Sequence, residues 1–286
     1  MNKIKSLTPL RTPGGKSKVL KKYLIPRYPE FEGNFYEPFI GGGSVALSIA
    51  QIYPDKKIFV NDSNPKLANF WNILQKNSIN LIKVLHKTRD KYDFEDIERG
   101  RDLLKNMNEI LYKEKMTNEE DKNNLLQAVA FYVLNKISFS GMTEHVSLSK
   151  DAYRKTFNHK NIDRLKEINS LMENFVIHCE DSSTFMENIE DDDFTFLDPP
   201  YMIESNNLYG KKGELHKSFN HEMFVESVKN LKGKWLLTYN DNEWIRDNFK
   251  NYHIEDAEYT YFMAFKQNED GQKKTRKKNE LIIKNY

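Results

Sequence analysis

Residues 34–44 read Asn34-Phe-Tyr-Glu-Pro-Phe-Ile-Gly-Gly-Gly-Ser44, a short apolar strand that stops at a proline and runs into three glycines. Apolar residues at helical spacing follow over Ser44–Tyr53, and a second strand candidate, Lys57–Asn61, comes next. Pro65–Gln75 then has the pattern of a helix with proline at a favourable first position. This strand–helix–strand–helix order predicts a parallel sheet with helices packed on its faces.

The middle of the chain differs from this beginning. Residues 79–164 show helical or irregular patterns and few strand candidates. Strand candidates return after this stretch, at Phe175–Cys179, Asp193–Leu197, Lys234–Tyr239, Ile254–Phe265 and Glu280–Lys284. We therefore predict one α/β domain of about seven strands, made of residues 1–78 and 165–286 and interrupted by a mainly helical insertion, residues 79–164.

Composition limits the class of protein. The 286 residues carry 44 Lys and Arg against 42 Asp and Glu, so any nucleic-acid contact must rest on local clusters of cations. The single cysteine, Cys179, excludes an internal disulfide, and we expect it to be buried in its apolar strand candidate. The seven histidines have no zinc-binding spacing, so no metal site is predicted. No apolar run is long enough to span a membrane, and we expect a cytoplasmic protein without membrane partners.

The sharpest chemical signal is the tetrapeptide Asp198-Pro-Pro-Tyr201, which follows the strand candidate Asp193–Leu197. Ligands of open α/β sheets bind at the carboxyl ends of strands. A carboxylate and a proline-fixed carbonyl there can accept both hydrogens of an amino group on a base and turn its lone pair toward an electrophile. The Tyr201 ring offers a flat face to a base that has left its helix. The alternative is that the two prolines merely end a strand.

A glycine turn followed by an acidic residue is the second signal. Gly41 and Gly43 let the backbone approach a ligand closely at the start of a helix. Asp62 ends the next strand, 19 residues after Gly43, where a carboxylate can bind ribose hydroxyls. This spacing predicts a nucleoside-containing cofactor without choosing between NAD and S-adenosylmethionine. A tight turn at the glycines and helix capping by Asp62 are the structural alternatives.

Two other polar positions have open interpretations. Thr12-Pro-Gly-Gly-Lys16 presents a lysine on a Gly-Gly turn, which suits a bound carboxylate or phosphate and equally suits a plain surface turn. Asp181 comes after the strand candidate Phe175–Cys179, and it either meets the adenine of a cofactor or caps the segment after it.

Two groups of cations are candidates for phosphate contacts, although such runs are usually solvated loops. One group lies between the last two strand candidates, and we predict that it forms a hairpin loop near the sheet end. The other group is in the loop after Tyr201. The residues are Lys273, Lys274, Arg276, Lys277 and Lys278 in the first group and Lys211 and Lys212 in the second.

Together these motifs resemble the D12 class, or Dam-like group, of N6-adenine DNA methyltransferases, over most of the chain. The glycine motif precedes the catalytic motif, which is the alpha arrangement. Thr12–Lys16 is similar to the group's N-terminal Gly-Gly-Lys segment. Leu134–Gly141 resembles the Leu-Asn-Arg to Phe-Asn-Gly segment of its target-recognition domain, and Asp198–Tyr201 resembles its catalytic motif.

The resemblance implies a Rossmann-like methyltransferase sheet, S-adenosylmethionine as donor, and metal-free transfer to the N6 amino group of an adenine flipped out of duplex DNA. It makes residues 1–78 and 165–286 the catalytic domain and residues 79–164 the target-recognition insertion. The implied catalytic residues are Asp198, Pro199, Pro200 and Tyr201. The implied cofactor contacts are Thr12, Lys16, Phe39, Gly41, Gly43, Asp62, Asp181 and Asp198. The implied DNA contacts are Lys136, Ser138, Phe139 and Ser140.

One departure from the group's pattern is Thr12, at a cofactor position that is often aromatic in the group, and the other departures concern the DNA target. Lys136 replaces the usual arginine and Ser140 the usual asparagine, and Glu144 stands where members that methylate GATC generally carry an arginine. We therefore expect a target other than GATC, and a cognate restriction endonuclease is a candidate partner. Methylation of cytosine N4 or of RNA amines shares the tetrapeptide and stays an alternative, as does a catalytically silent nucleic-acid-binding relative. A nicotinamide oxidoreductase would leave Asp198–Tyr201 unexplained.

Overall fold

The computed structural model describes residues 4–113, 120–144, 146–202, 219–261 and 276–286, with the backbone alone for 258–261 and 276–278. Its sheet has seven strands in the order β3-β2-β1-β4-β5-β7-β6. The pairs β2–β3, β1–β4 and β4–β5 are parallel, whereas β7 is antiparallel to both β5 and β6. The strands are β1 Phe35–Glu37, β2 Ile58–Asn61, β3 Phe175–His178, β4 Phe194–Leu197, β5 Lys234–Asn240, β6 His253–Tyr261 and β7 Arg276–Lys284. The predicted α/β class and strand number are confirmed.

Ten α-helices occur in the described part of the chain. Between β2 and β3 the chain forms consecutive helices before it returns to the sheet. The helices are α1 Ser44–Ile52, α2 Pro65–Lys76, α3 Ser78–Lys91, α4 Ile97–Tyr112, α5 Glu120–Ile137, α6 Lys150–Lys155, α7 His159–Ser170, α8 Ser182–Met186, α9 His221–Lys229 and α10 Glu243–Asn248. None of these described helices is both long enough and apolar enough to cross a membrane.

The chain divides into two compact units, and the first comprises Met1–Ser17 and Ile40–Glu180. Its core lies where α2 packs on α5. The Phe70 ring stacks on the rings of Phe131 and Tyr132, with centroids 5.9 and 5.8 Å apart. Trp71 on the next position of α2 is fully buried and donates its indole N–H to the carbonyl of Gly41 at 3.1 Å. Burial of these large rings fixes α2 against both α5 and the glycine turn.

The second unit comprises Lys18–Phe39 and Asp181–Tyr286. Phe194 at the start of β4 lies in a cluster with Phe31 and Phe35, with ring centroids 5.5 Å away in each case. The buried carboxylate of Asp193 accepts the backbone N–H groups of Asn34 (2.6 Å) and Glu190 (2.9 Å). This carboxylate therefore holds the start of β4 beside the chain that leads into β1.

Two sequence-based expectations do not match the structure. Cys179 is exposed, because β3 ends at His178 and the side chain lies beyond the buried part of the strand. The basic run 273–278 is not wholly a loop, because β7 begins at Arg276 and pairs with β6, Arg276 lying opposite Tyr261. Lys273 and Lys274, like Lys211 and Lys212, lie outside the described residues.

Candidate active site

Asp198 lies directly after β4, beside the neighbouring strand β5. The parallel register pairs Leu197 with Leu237, so Asp198 and Thr238 are the next residues along the two strands. The hydroxyl of Thr238 donates to Asp198 Oδ1 at 2.8 Å, and Thr238 is fully buried. The Tyr201 hydroxyl lies 3.1 Å from the same oxygen and donates to it. Two hydroxyls thus hold one oxygen of this carboxylate and fix the plane of the group.

Tyr201 is held by a second carboxylate and a second ring. Its hydroxyl also lies 3.0 Å from Oε2 of Glu280, which is buried in β7. Its ring centroid is 5.4 Å from that of Tyr239, with 32° between the planes. The Tyr239 hydroxyl contacts His221 Nδ1 at 2.5 Å, and burial raises the pKa of Tyr239. Tyr201 therefore sits on a fixed aromatic support.

Three of these supporting residues were not predicted as site residues. Thr238, Tyr239 and Glu280 lie 40, 38 and 79 residues along the chain from the groups they contact in the tetrapeptide. A threonine at the end of the apolar run Trp235–Leu237 is a local signal that could have marked such a role. Pro199 is buried and Pro200 half-buried, as expected of residues that follow a central strand.

The glycine turn in the first unit binds the carboxylate of Asp62. Gly41 and Gly43 have φ of 45° and 67°, in the left-handed region that favours glycine. The Gly41 N–H donates to Asp62 Oδ2 at 3.3 Å, and the Asn64 N–H donates to Oδ1 at 3.0 Å. A side chain at Gly43 would overlap Trp71, whereas no atom lies within 4 Å of the Cβ position at Gly41. The backbone at Gly41 is therefore open for close approach by a ligand.

The environment of Asp62 changes its acidity. Burial raises the pKa of Asp62 to about 6, and the hydrogen bonds from Asn64 and Gly41 oppose that rise. The side chain is nevertheless only half-buried, so part of it stays accessible. Helix capping falls to Asn64, whose Oδ1 accepts the N–H groups of Lys66 and Leu67 at the start of α2. The structure thus gives the capping role to a residue other than Asp62.

Thr12 and Lys16 lie in a turn against the glycine motif. The Gly15 N–H donates to the Thr12 carbonyl at 3.1 Å, and the Lys16 ammonium donates to the Gly14 carbonyl at 3.0 Å. A Cβ at Gly42 would lie 3.0 Å from Thr12 Oγ1, so the two segments are in close contact. Lys16 is buried, which is uncommon for lysine.

The other two predicted cofactor residues belong to the second unit. The Phe39 ring packs edge-on against Phe219 and Phe224, with centroids 5.9 and 5.8 Å away. The Asp181 carboxylate accepts the N–H and the hydroxyl of Ser183 at 2.8 and 2.6 Å and so caps α8. These hydrogen bonds lower the pKa of Asp181. Of the two interpretations of Asp181, the structure displays the capping one.

The predicted DNA-contacting segment follows α5. Lys136 is buried with its ammonium 5.1 Å from the centre of the Tyr132 ring, and burial together with Arg11 and Arg164 lowers its pKa to about 7. That burial argues against a direct phosphate contact. Ser138 is also buried, whereas Phe139 is half exposed. Ser140 has φ of 55° and is the only residue other than glycine with positive φ in the described ranges.

The residues of the first unit fit an adenosine-containing donor. The carboxylate at the end of β2 suits ribose hydroxyls, and the open backbone at Gly41 lets the ligand approach it. The buried ammonium of Lys16 suits a ligand carboxylate. These groups match the ribose and the amino-acid end of S-adenosylmethionine.

Comparison with known proteins agrees with this chemistry. The family model for D12 class N6 adenine-specific DNA methyltransferases matches residues 13–263. The type II methyltransferase M.MjaIII of Methanocaldococcus jannaschii is 27% identical over 204 aligned positions, covering 67% of this chain and 68% of that protein. The type II methyltransferase M1.LlaDCHI of Lactococcus lactis subsp. cremoris is 26% identical over 289 aligned positions, covering 96% of this chain and 93% of that protein.

Two further similarities are more limited. The DNA N-6-adenine-methyltransferase of Escherichia phage P1 is 27% identical over 66% of this chain but only 23% of its own length. Precorrin-6y C5,15-methyltransferase of Geobacter metallireducens GS-15 is 10% identical over 94% of this chain and 87% of that one, and its TM-score of 0.40 is too low to bear on function. The family match takes in both the glycine turn and Asp198–Tyr201. This chain therefore belongs to the D12 class of N6 adenine-specific DNA methyltransferases, which use S-adenosylmethionine as methyl donor.

Proposed function

We propose that Asp198 and Pro199 bind the amino group of an adenine that has been flipped out of duplex DNA, and that Tyr201 stacks on the base. One observation carries this proposal: Thr238 and Tyr201 both hold Oδ1 of Asp198, at the carboxyl end of a central parallel strand. We assign Oδ2, the other oxygen of this carboxylate of fixed orientation, to the amine.

The chemistry needs an amine whose lone pair leaves the plane of the ring. Oδ2 of Asp198 accepts one N6 hydrogen and the carbonyl of Pro199 accepts the other, which favours tetrahedral geometry at nitrogen. Bound S-adenosylmethionine supplies a methyl group on a cationic sulfonium. The methylated nitrogen becomes positively charged, and Asp198 stabilises that charge and accepts the proton that the nitrogen must lose.

Tyr201 provides the surface for the flipped base. Its ring is fixed on one side by Tyr239 and at its hydroxyl by Asp198 and Glu280. Stacking of a base on such a ring stabilises binding by about 1–3 kcal/mol. A ring that is already fixed loses little entropy when the base arrives.

For the donor, we propose that Asp62 accepts the ribose hydroxyls beside Gly41 and Gly43, and that Lys16 binds the carboxylate beside Thr12. Support comes from the N–H groups of Gly41 and Asn64, which hold the Asp62 carboxylate in place. Phe39 and Asp181 are proposed to contact the donor's adenine, and Asp181 combines that role with capping α8.

We further propose that residues 79–164 form the target-recognition insertion and that its DNA contact is made by Phe139 and Ser140. The exposed ring of Phe139 beside the left-handed Ser140 supports this assignment. Two relatives are named as type II methyltransferases, which suggests a cognate restriction endonuclease as a partner. The basic residues around 211–212 and 273–278 are proposed to contact phosphates.

The test is transfer of labelled methyl from S-adenosylmethionine to unmethylated genomic duplex DNA, followed by nucleoside analysis. Label in N6-methyladenine supports the proposal, and sequencing of the modified sites gives the target. Label in N4-methylcytosine or in RNA would overturn the choice of base or nucleic acid. DNA binding without any transfer would point to a silent relative.

A further inference from the structure

The N-terminal segment, residues 8–16, is fixed on one side by the glycine turn. The Thr8 hydroxyl donates to the Gly42 carbonyl at 2.6 Å. A Cβ added at Gly42 would lie 3.0 Å from the hydroxyl oxygens of both Thr8 and Thr12. A ligand that orders the glycine turn therefore also orders this segment.

On its other side, the same segment is bound by the end of α5. The Arg11 N–H donates to Asn135 Oδ1 at 2.9 Å, and Asn135 Nδ2 donates back to the Arg11 carbonyl at 2.9 Å. Nδ2 donates a further bond to the Gly141 carbonyl at 2.7 Å. Asn135 is buried, and its amide links the peptide of Arg11 to the recognition tip, which we define as residues 138–141.

The guanidinium of Arg11 adds two bonds to the same region. Its Nη1 donates to the carbonyl of Lys136 at 3.1 Å, in the last turn of α5, and to the carbonyl of Ser138 at 2.9 Å, directly after the helix. A cation at this position satisfies carbonyls that have no partner within the helix. Burial lowers the pKa of Arg11, but an arginine stays protonated at neutral pH.

The recognition tip depends on this contact for its shape. Gly141 has φ of 78°, and a Cβ there would overlap the carbonyl oxygen of Arg11. Ser140 is held in the left-handed region, which is unfavourable for a residue with a side chain. The bonds from Arg11 and Asn135 to residues on either side of Ser140 offset that cost.

We infer that Arg11 and Asn135 are positioning residues that couple donor binding at the glycine turn to DNA binding at the recognition tip. This inference rests on the proposed function, because it takes the glycine turn as the donor site and the tip as the DNA contact. The N-terminal segment contacts both, so each ligand favours the same arrangement of it. Such coupling is reciprocal and typically amounts to about 5- to 150-fold in affinity.

The test measures binding of a fluorescent duplex carrying the sequence that the wild-type protein methylates, with and without S-adenosylhomocysteine. We expect S-adenosylhomocysteine to tighten DNA binding by about tenfold in the wild type. Arg11→Met removes the two guanidinium bonds and keeps the backbone bonds to Asn135. Asn135→Asp keeps an oxygen that accepts the Arg11 N–H. It removes the Nδ2 hydrogens that donate to the carbonyls of Arg11 and Gly141. In each variant the enhancement should fall to about twofold or less, although each ligand alone still binds.

Arg27→Met is the matched control. Arg27 is a half-buried arginine in the second unit that donates to the Tyr23 carbonyl at 2.7 Å and to Glu255 at 2.8 Å. Its loss should lower stability and leave the enhancement at the wild-type value. Thermal unfolding of each protein identifies any variant that fails to fold. If either the Arg11 or the Asn135 variant fails to fold, the other still tests the inference.

A wild-type protein without enhancement, or folded variants that keep it, would overturn the inference. Failure of the proposed function looks different. It would appear as absence of methyl transfer to DNA, and the coupling would then be measured on sheared genomic duplex. Loss of transfer and loss of coupling are thus separate readings from separate assays.

Discussion

Two groups of residues, each within one unit, are built from different materials: the proposed donor site around Asp62 in the first unit and the proposed amine site around Asp198 in the second. Around Asp62 the structure uses backbone: the N–H groups of Gly41 and Asn64 bind the carboxylate, and glycines leave space for a ligand. Around Asp198 it uses side chains from other strands, Thr238 on β5 and Glu280 on β7. Backbone groups are still present when a neighbouring side chain is replaced, whereas in a side-chain network each replacement changes the groups that the remaining members contact. Mutations in the donor site and in the amine site should therefore differ in their effects.

The largest effect is expected for Asp198→Ala, which removes the centre of the side-chain network. Methyl transfer should fall by about 10²–10⁴-fold, since the amine loses its acceptor. Donor affinity should fall far less than transfer, because the ribose and the carboxylate of the donor are assigned to Asp62 and Lys16. Single-turnover transfer and calorimetric titration with S-adenosylhomocysteine measure the two quantities. Asp191→Ala, at an exposed aspartate before β4, is the control and should retain full transfer. A fully active Asp198→Ala protein would contradict the assignment.

Tyr201→Ala is expected to have the next largest effect. Loss of the stacking surface should weaken capture of the flipped base by about 5- to 150-fold, which corresponds to about 1–3 kcal/mol. Fluorescence of 2-aminopurine at the target position reports the flipped state directly. Tyr201→Phe keeps the ring and loses the hydroxyl, so it should restore most of the stacking. Equal losses of donor binding and base capture in Tyr201→Ala would count against the stacking role.

Asp62→Asn tests the proposed donor site. We expect donor affinity to fall by about tenfold, a smaller effect than those of the two preceding alanine variants. Because burial raises the pKa of Asp62 to about 6, wild-type affinity for S-adenosylhomocysteine should decline as the pH falls through that value. The Asp62→Asn protein should lack this decline. Calorimetry between pH 5 and 8 separates the two proteins, and parallel pH profiles would exclude Asp62 from the donor site.

The same shift predicts a stability effect of defined sign. A carboxyl with a raised pKa in the folded state stabilises the protein below the ordinary pKa and loses that contribution as the pH rises through about 6. The free energy of unfolding of the wild type, relative to Asp62→Asn, should therefore fall between pH 4 and pH 7, by at most about 3 kcal/mol. Urea unfolding of the ligand-free proteins at the two pH values measures it. A relative stability that rises with pH would contradict the burial of this carboxyl.

The donor site and the amine site also differ in how far the sequence predicts them. The glycine turn and Asp62 could be predicted, because left-handed backbone selects glycine and because the acidic residue follows at a fixed spacing. The tetrapeptide was equally visible, but Glu280 was not, since its link to Tyr201 depends on β7 pairing with β5. Likewise, Lys136 is predicted as a DNA contact from the resemblance of Leu134–Gly141 to the family's recognition segment. Its burial follows only from the packing of α5, which is buried on all sides over residues 128–137. Local chemistry was predictable, and contacts set by strand order and helix packing were not.

Thr238→Val gives the smallest expected effect and the sharpest comparison. Valine has the shape of threonine without the hydroxyl, so Asp198 Oδ1 loses the bond from Thr238 and keeps the bond from Tyr201. A hydrogen bond to a carboxylate contributes about 1.5–3 kcal/mol, of which we expect only part to affect orientation. The kcat should therefore be about five- to tenfold lower with KM unchanged.

Thr195→Val on the adjacent strand β4 is the matched control. Thr195 is also fully buried, and its hydroxyl oxygen has no hydrogen-bond partner among the described residues. Its replacement should leave kcat unchanged and should not destabilise the protein, because no bond is lost and an unsatisfied buried oxygen is removed. If both variants lose activity equally, the change reflects packing of the central strands. If kcat falls in Thr238→Val alone, the threonine acts by orienting the carboxylate. The amine site is then a network whose members affect the reaction by positioning Asp198.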